Sequence, residues 1–110
     1  MKLYIATPIN ARSERTFKEK FIAAKHRSEI LKEVIQSDPS FNSVSEIVTS
    51  FDICPLGSVS EGEALGRCIQ AVYESDAIYL DHAWQSSKGC NLEYRAAKIY
   101  GKIIYEHDNM

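Results

Sequence analysis

Hydrophobic and polar positions follow two rhythms along this chain, and they alternate. Leu3-Tyr4-Ile5-Ala6 is a short apolar run stopped by Thr7-Pro8, the pattern of a strand buried on both faces. Ser13 is a suitable N-cap with Glu14 behind it, and Phe17, Phe21, Ala24, Leu31 and Ile35 then recur at helical spacing. Asp38-Pro39 ends that helix, and residues 39–45, with their Ser and Asn, read as a loop. Glu46 to Phe51 contains Ile47, Val48 and Thr49, enough β-branching for a second strand, which Cys54-Pro55-Leu56-Gly57 breaks. A second helix begins near Ser60, with Glu61 and Glu63 at its positive end, and runs through Leu65, Ile69 and Val72 to about Glu74. Ala77 to Leu80 is a third strand. A third helix spans about Asn91 to Tyr100, with Gly101 as its C′ residue, and Lys102 to Tyr105 is the fourth strand.

Strand–helix alternation of this kind implies right-handed crossovers and a parallel sheet. The expected architecture is α/β: a three-layer flavodoxin-like or Rossmann-like fold, with a four-stranded parallel sheet and helices on both faces. One domain spans residues 1–110, since a chain of 110 residues has room for a single core. There are no internal repeats and no low-complexity segments. In such sheets ligands bind beyond the carboxyl ends of the strands, where strand order reverses. A reversal between the first and third strands brings Tyr4, Thr7, Asp81 and Glu93 toward one crevice, with Pro8 and His82 at its strand ends.

Charge narrows the partners. A net charge of −2 argues against a general nucleic-acid binder. Eight of the thirteen Lys and Arg residues lie between Lys2 and Lys32, but Glu14, Glu19, Glu29 and Glu33 are interleaved with them, so the region reads as a solvated helix face. No segment approaches the roughly 20 apolar residues of a membrane span. The amino terminus is too short in apolar residues for a signal-peptide core, and Cys54, Cys68 and Cys90 form no C-x-x-C pair. A reduced, cytoplasmic setting is therefore expected, with no membrane partner. His26, His82 and His107 show no ligand spacing with the cysteines, and no G-x-G-x-x-G precedes the first helix, so neither a metal nor another cofactor is expected.

The candidate chemistry gathers after the third strand. Ser86-Ser87-Lys88-Gly89 offers hydroxyls, backbone N–H groups and a cation to a phosphate, although an ordinary polar loop with an N-cap serine has the same composition. Trp84 either stacks on a base or packs the loop down. Tyr4 on the first strand reaches toward the crevice, or is a routine buried tyrosine. Asp76 fixes a turn or caps the second helix. Asp81 and His82 are better placed for a ligand. On the third helix Leu92, Ala96 and Ile99 form the apolar stripe, with Glu93, Ala97 and Tyr100 beside it. In the first turn, the helix dipole keeps Glu93 ionised, as a nucleophile requires. Acids are common in first turns for structural reasons, but a capping box needs Ser or Thr at position 90, where Cys90 stands, and no base follows at position 97.

Leu3-Tyr4-Ile5-Ala6-Thr7-Pro8, Ser75-Asp76-Ala77-Ile78 and Ser87-x-Gly-x-x-x-Glu93-Tyr94-x-x-Ala97 together resemble the nucleoside 2-deoxyribosyltransferase superfamily, including its deoxynucleoside 5′-monophosphate N-glycosidases. The chain is also similar to an uncharacterised family of short phage and bacterial proteins with a Gly-Trp-x-x-Ser-x-Gly-type loop before the same helix. The resemblance implies that Glu93 attacks the anomeric carbon in a retaining double displacement, that Tyr4 orients it, and that Ser87 and Gly89 hold a 5′-phosphate. It also implies a homodimer or larger homo-oligomer, whose sites are completed by a carboxy-terminal residue of a neighbour, with Asn109 available. One departure stands out: Cys68 occupies the place of the aspartate that protonates the leaving base. Such acid catalysis contributes about 10²–10⁴-fold, and Asp52 or Asp81 are the acids left to compensate. The expected function is binding of a nucleotide or nucleoside, with cleavage or exchange of its N-glycosidic bond. The alternative is a non-catalytic nucleotide-binding, phage accessory or interaction domain.

Overall fold

The computed structural model describes residues 1–9, 16–54 and 60–107. β1 (Lys2–Ala6), α1 (Phe17–Ser37), β2 (Glu46–Thr49), α2 (Ser50–Ile53), α3 (Glu61–Glu74), β3 (Ala77–Leu80), α4 (Lys88–Ile99) and β4 (Ile103–Glu106) follow in that order. The four strands form one all-parallel sheet in the order β2-β1-β3-β4, so the chain reverses its direction of travel across the sheet between β1 and β3. The expected α/β architecture and its switch point are both present.

Alternation along β1 divides the core. Tyr4 and Ala6, with Ile78 and Leu80 of β3, face Cys68, Ala71 and Val72 of α3 and Cys90, Ala96 and Ala97 of α4. Leu3 and Ile5 face the other way with Ile47, Ala77 and Tyr79, and are covered by Leu31 and Ile35 of α1 and by Phe41. Both faces of β1 are therefore buried, which explains its unbroken apolar run. Asp76 sets the register at the start of the sheet: its Oδ2 accepts from the Lys2 N–H at 2.8 Å, while its own N–H donates to the Lys2 carbonyl.

The elements differ from expectation where side-chain caps override the apolar pattern. Thr16, not Ser13, caps α1, its Oγ1 accepting from the Glu19 N–H; Ser13 lies outside the described residues. Phe17, so close to this end, is 61% exposed rather than part of the buried stripe. β2 stops at Thr49 because Thr49 and Asp52 form a reciprocal capping box that starts α2. Of the expected breaker after it, residues 55–57 lie outside the described residues. α3 begins after Ser60 and ends at Glu74 as expected. α4 starts at Lys88, three residues early, because Ser87 Oγ accepts from the Cys90 N–H at 3.2 Å. Its buried face is Cys90, Glu93, Ala96 and Ala97, whereas Leu92 and Ile99 are exposed, Ile99 to 78%. Small side chains on that face let α4 approach α3 and the sheet closely, and this contact orients the helix in place of the larger Leu and Ile.

Among the described residues no helix is long and apolar enough to cross a membrane.

Two left-handed residues bracket α4. Gly101, at φ +66°, closes the helix: its N–H donates to the Lys98 carbonyl and the Lys102 N–H to the Ala97 carbonyl, a Schellman end. Ala83, at φ +61°, holds the same conformation with a side chain. It stands where the loop motif described above carries Gly. Gly101→Ala is expected to lower unfolding stability by about 1 kcal/mol, and Ala83→Gly to raise it by up to about 1 kcal/mol. Urea unfolding of the two variants checks the opposite signs.

Candidate functional site

β1 carries Tyr4 into the α3/α4 side of the core at the switch point, and α4 brings Glu93 to it. Glu93 is 5% exposed and lies in the second turn of α4, beyond the first-turn N–H groups. Burial therefore dominates its chemistry and pushes its carboxyl up from the usual carboxylate range to about 7; the nearby Tyr4 hydroxyl offsets part of that rise. The expectation that the helix dipole holds Glu93 firmly ionised is thus corrected. Ser87 caps the helix early, which moves the acid out of the first turn and into a dry wall.

The groups around it respond to the same burial. Tyr4 is held well above the ordinary phenol range, first by desolvation and then by the charge of Glu93. Burial pushes the Cys68 thiol up to about 11 and the Cys90 thiol to about 12, with Glu93 adding to both. All three cysteines are free and buried. Cys68 is a neutral, packed thiol at neutral pH.

Four buried polar atoms have no partner at hydrogen-bonding geometry among the described residues: Tyr4 Oη, Thr7 Oγ1, Trp84 Nε1 and Glu93 Oε2. Tyr4 lies near both the Glu93 carboxylate and the Cys68 thiol without reaching that geometry to either. Orphaned buried polar groups are rare, because each loses its hydration and gains nothing in return. Of these four, Tyr4 Oη and Glu93 Oε2 belong to neighbouring side chains, a donor and an acceptor suited to a polar ligand.

The loop before α4 does meet Glu93. A Cβ placed on Gly89 would lie 3.8 Å from both Glu93 Oε1 and Ser87 Oγ, and 3.4 Å from Leu65 Cδ2. Gly89 thus leaves the carboxylate and the capping hydroxyl close to open backbone. The serines are committed within the loop: Ser86 Oγ donates to the Ala83 carbonyl, and Ser87 Oγ caps α4. Asn91, missed by the sequence reading, fastens the loop by donating to the Gln85 and Ser87 carbonyls. Trp84 is buried against Tyr94 at a ring separation of 4.8 Å, so its ring packs the loop down. Lys88 and His82 are exposed, and Pro8 is half-buried.

Asp81, expected to face a ligand, has structural partners for its carboxylate. Its carboxylate takes a two-pronged bond from Arg27 of α1, at 3.0 and 3.2 Å, and its Oδ1 also accepts from the His82 N–H. The Arg27 guanidinium is raised in turn, chiefly by the bond to Asp81. Arg27 Nη2 also lies 3.4 Å from His107 Nε2, while His107 Nδ1 is 2.6 Å from the Tyr79 hydroxyl. This chain ties α1 to the carboxyl ends of β3 and β4. Asp52 is occupied by the Thr49 N–H and hydroxyl, so both acids offered in place of a carboxyl at Cys68 already have structural partners. Asn109 lies outside the described residues. Among the described residues no group of His, Cys, Asp and Glu is arranged to hold a metal ion.

The raised Glu93 carboxyl has a thermodynamic consequence. The folded state holds this proton more tightly than the unfolded chain, so between about pH 4.5 and about 7 it binds more protons. The Glu93 contribution is therefore most favourable below that window, falls as pH rises through it and levels off above. Glu93→Gln removes the titration. The variant should match the native chain near pH 4.5 and exceed its stability by roughly 3 kcal/mol at pH 8. Urea unfolding at pH 4.5, 6 and 8 measures this; parallel pH profiles for the two proteins would contradict it.

Comparison with known proteins adds one result. The model of a family described as a domain of unknown function, DUF4406, matches residues 1–106, nearly the whole chain and every element that builds the Tyr4–Glu93 site. No curated protein and no solved structure matches the chain. With the family match running from β1 through β4, this chain belongs to the DUF4406 family.

Proposed function

We propose that this protein binds a nucleotide or nucleoside at the β1/β3 switch point and cleaves or exchanges its N-glycosidic bond through Glu93. The observation that carries the reading is a buried Glu93 carboxylate oxygen beside the Tyr4 hydroxyl, neither with a hydrogen-bond partner among the described residues. A carboxyl of about 7 is substantially ionised at neutral pH, and with little water around it the anion is a poorly solvated nucleophile. In the proposed step a Glu93 oxygen bonds to the anomeric carbon as the bond from that carbon to the base nitrogen breaks. The electron pair leaves with the base, which takes up a proton from solvent. Water or a second base then attacks the same carbon, loses a proton to solvent and releases the carboxylate, giving net retention. Tyr4 orients the carboxylate, and the backbone around Gly89 at the start of α4 receives the phosphate of a 5′-monophosphate.

Cys68 favours a second reading. With a thiol held near 11, it is not a proton donor of carboxylic strength, and neither Asp52 nor Asp81 is free to replace it. A protein that binds a nucleotide without turning it over fits that feature.

Base release from the four deoxynucleoside 5′-monophosphates separates the two. The catalytic reading expects release that rises with pH as Glu93 ionises around pH 7 and falls at least about 10³-fold in Glu93→Ala. The binding reading expects no release, but a higher melting temperature with one of the nucleotides. Absence of both release and thermal stabilisation would reject the site.

A further inference from the structure

α1 is the one long helix on its side of the sheet among the described residues, and its outer face is not that of a simply solvated helix. Ala24, Ser28, Leu31 and Ile35 face the sheet. On the opposite side Ile22, Ile30 and Val34 are 54%, 43% and 56% exposed, and His26 fills the gap between them. These four positions recur every fourth residue and form a ridge along the middle of a helix of 21 residues.

Lys25, Glu29 and Glu33, all exposed, follow one another at four-residue intervals along one flank of this ridge, with the cation toward the amino end and the acids toward the carboxyl end; Lys18 continues the ridge itself and exposed Glu19 stands on the other flank. Lys32 is half-buried and sits lower, toward the sheet. When two identical helices pair antiparallel about a two-fold axis, each flank meets its own copy with the ends exchanged. The Lys25 end of this flank in one copy then faces the Glu29 and Glu33 end of the same flank in the other. Placing the axis at the level of Ser28 sets Ile22 opposite Val34 and His26 opposite Ile30. Lys25 then falls within about 3 Å, along the helix axis, of the levels of both Glu29 and Glu33 in the other copy.

We propose that the outer face of α1 is a self-association surface, on which a second copy of this chain docks antiparallel. The apolar ridge supplies the buried area, and the flanking charges set direction and register rather than affinity. The surface lies across the sheet from Tyr4 and Glu93, so it stands independently of the reading of that site.

Light scattering on the eluting full-length chain tests this. The native chain is expected at twice its monomer mass, and Ile22→Glu/Ile30→Glu at the monomer mass with an unchanged circular dichroism spectrum. Two charge variants sharpen the test. Lys25→Glu makes the flank wholly acidic, and Glu29→Lys/Glu33→Lys makes it wholly basic. Each alone is expected to be monomeric, and an equimolar mixture to run as a dimer, which also shows that both variants are folded. A native chain that stays monomeric, a ridge variant that stays dimeric, or charge variants that fail to associate on mixing would each overturn the proposal.

Discussion

Glu93 is held on the inward face of α4, among Cys90, Ala96 and Ala97, with Tyr4 and Cys68 across from it, and water is excluded from the group. An ionised carboxylate in such surroundings costs several kcal/mol unless a partner compensates it, and none of the described residues brings a cation to it. The protein instead leaves the acid balanced between its charged and neutral forms at neutral pH. That balance determines the rest of the site. The tyrosine and both thiols beside it are all pushed toward their neutral forms, so Glu93 is the group in this cluster able to carry charge at neutral pH. A ligand that brings developing positive charge, or a donor to Oε2, would gain more here than it could from an exposed acid.

Small residues make that burial possible. Ala96 and Ala97 lie flat against the core, and Gly89 sits where even a Cβ would already be in contact with Leu65, Glu93 and Ser87. The Ser87 cap and the two bonds from Asn91 then fix the loop to the start of the helix. Left-handed Ala83 turns the chain out of β3, and Trp84 follows it into the core. The loop is thus built as a rigid rim, which suits a pre-formed polar site better than a closing lid.

The sheet was legible in the sequence because its central strands are uninterrupted apolar runs: Leu3 to Ala6 and Ala77 to Leu80 are buried on both sides, and nothing in their local chemistry competes with that pattern. The start of α4 was not legible. Ser87 carries two signals at once, phosphate-loop serine and N-cap, and reading it as the former displaced the helix by three residues. That displacement put Glu93 in a first turn and assigned its ionisation to the dipole, when desolvation governs it. Cap chemistry misled in the same way at Thr16 and Thr49, where a hydroxyl one side of an apolar pattern fixed the boundary. The Arg27–Asp81 pair was beyond any local pattern, since its partners are separated by 54 residues and only the packing of α1 on the sheet joins them.

That pair also sets Asp81, at the end of β3, apart from Glu93 on α4. Asp81 is as buried as Glu93, yet it receives two guanidinium N–H groups and a backbone N–H, so its negative charge is neutralised within the fold. Glu93 receives no comparable set. Arg27 reaches Asp81 from α1, on the far face of the sheet, and extends to His107 after β4, which in turn meets Tyr79. The α1 side of the sheet is therefore closed by a paired polar chain, whereas on the α3/α4 side Glu93 Oε2, the Tyr4 hydroxyl and the Trp84 indole N–H have no partner among the described residues. Such unpaired buried groups are rare, and Tyr4 stands on β1 at the switch point, where parallel sheets bind their ligands.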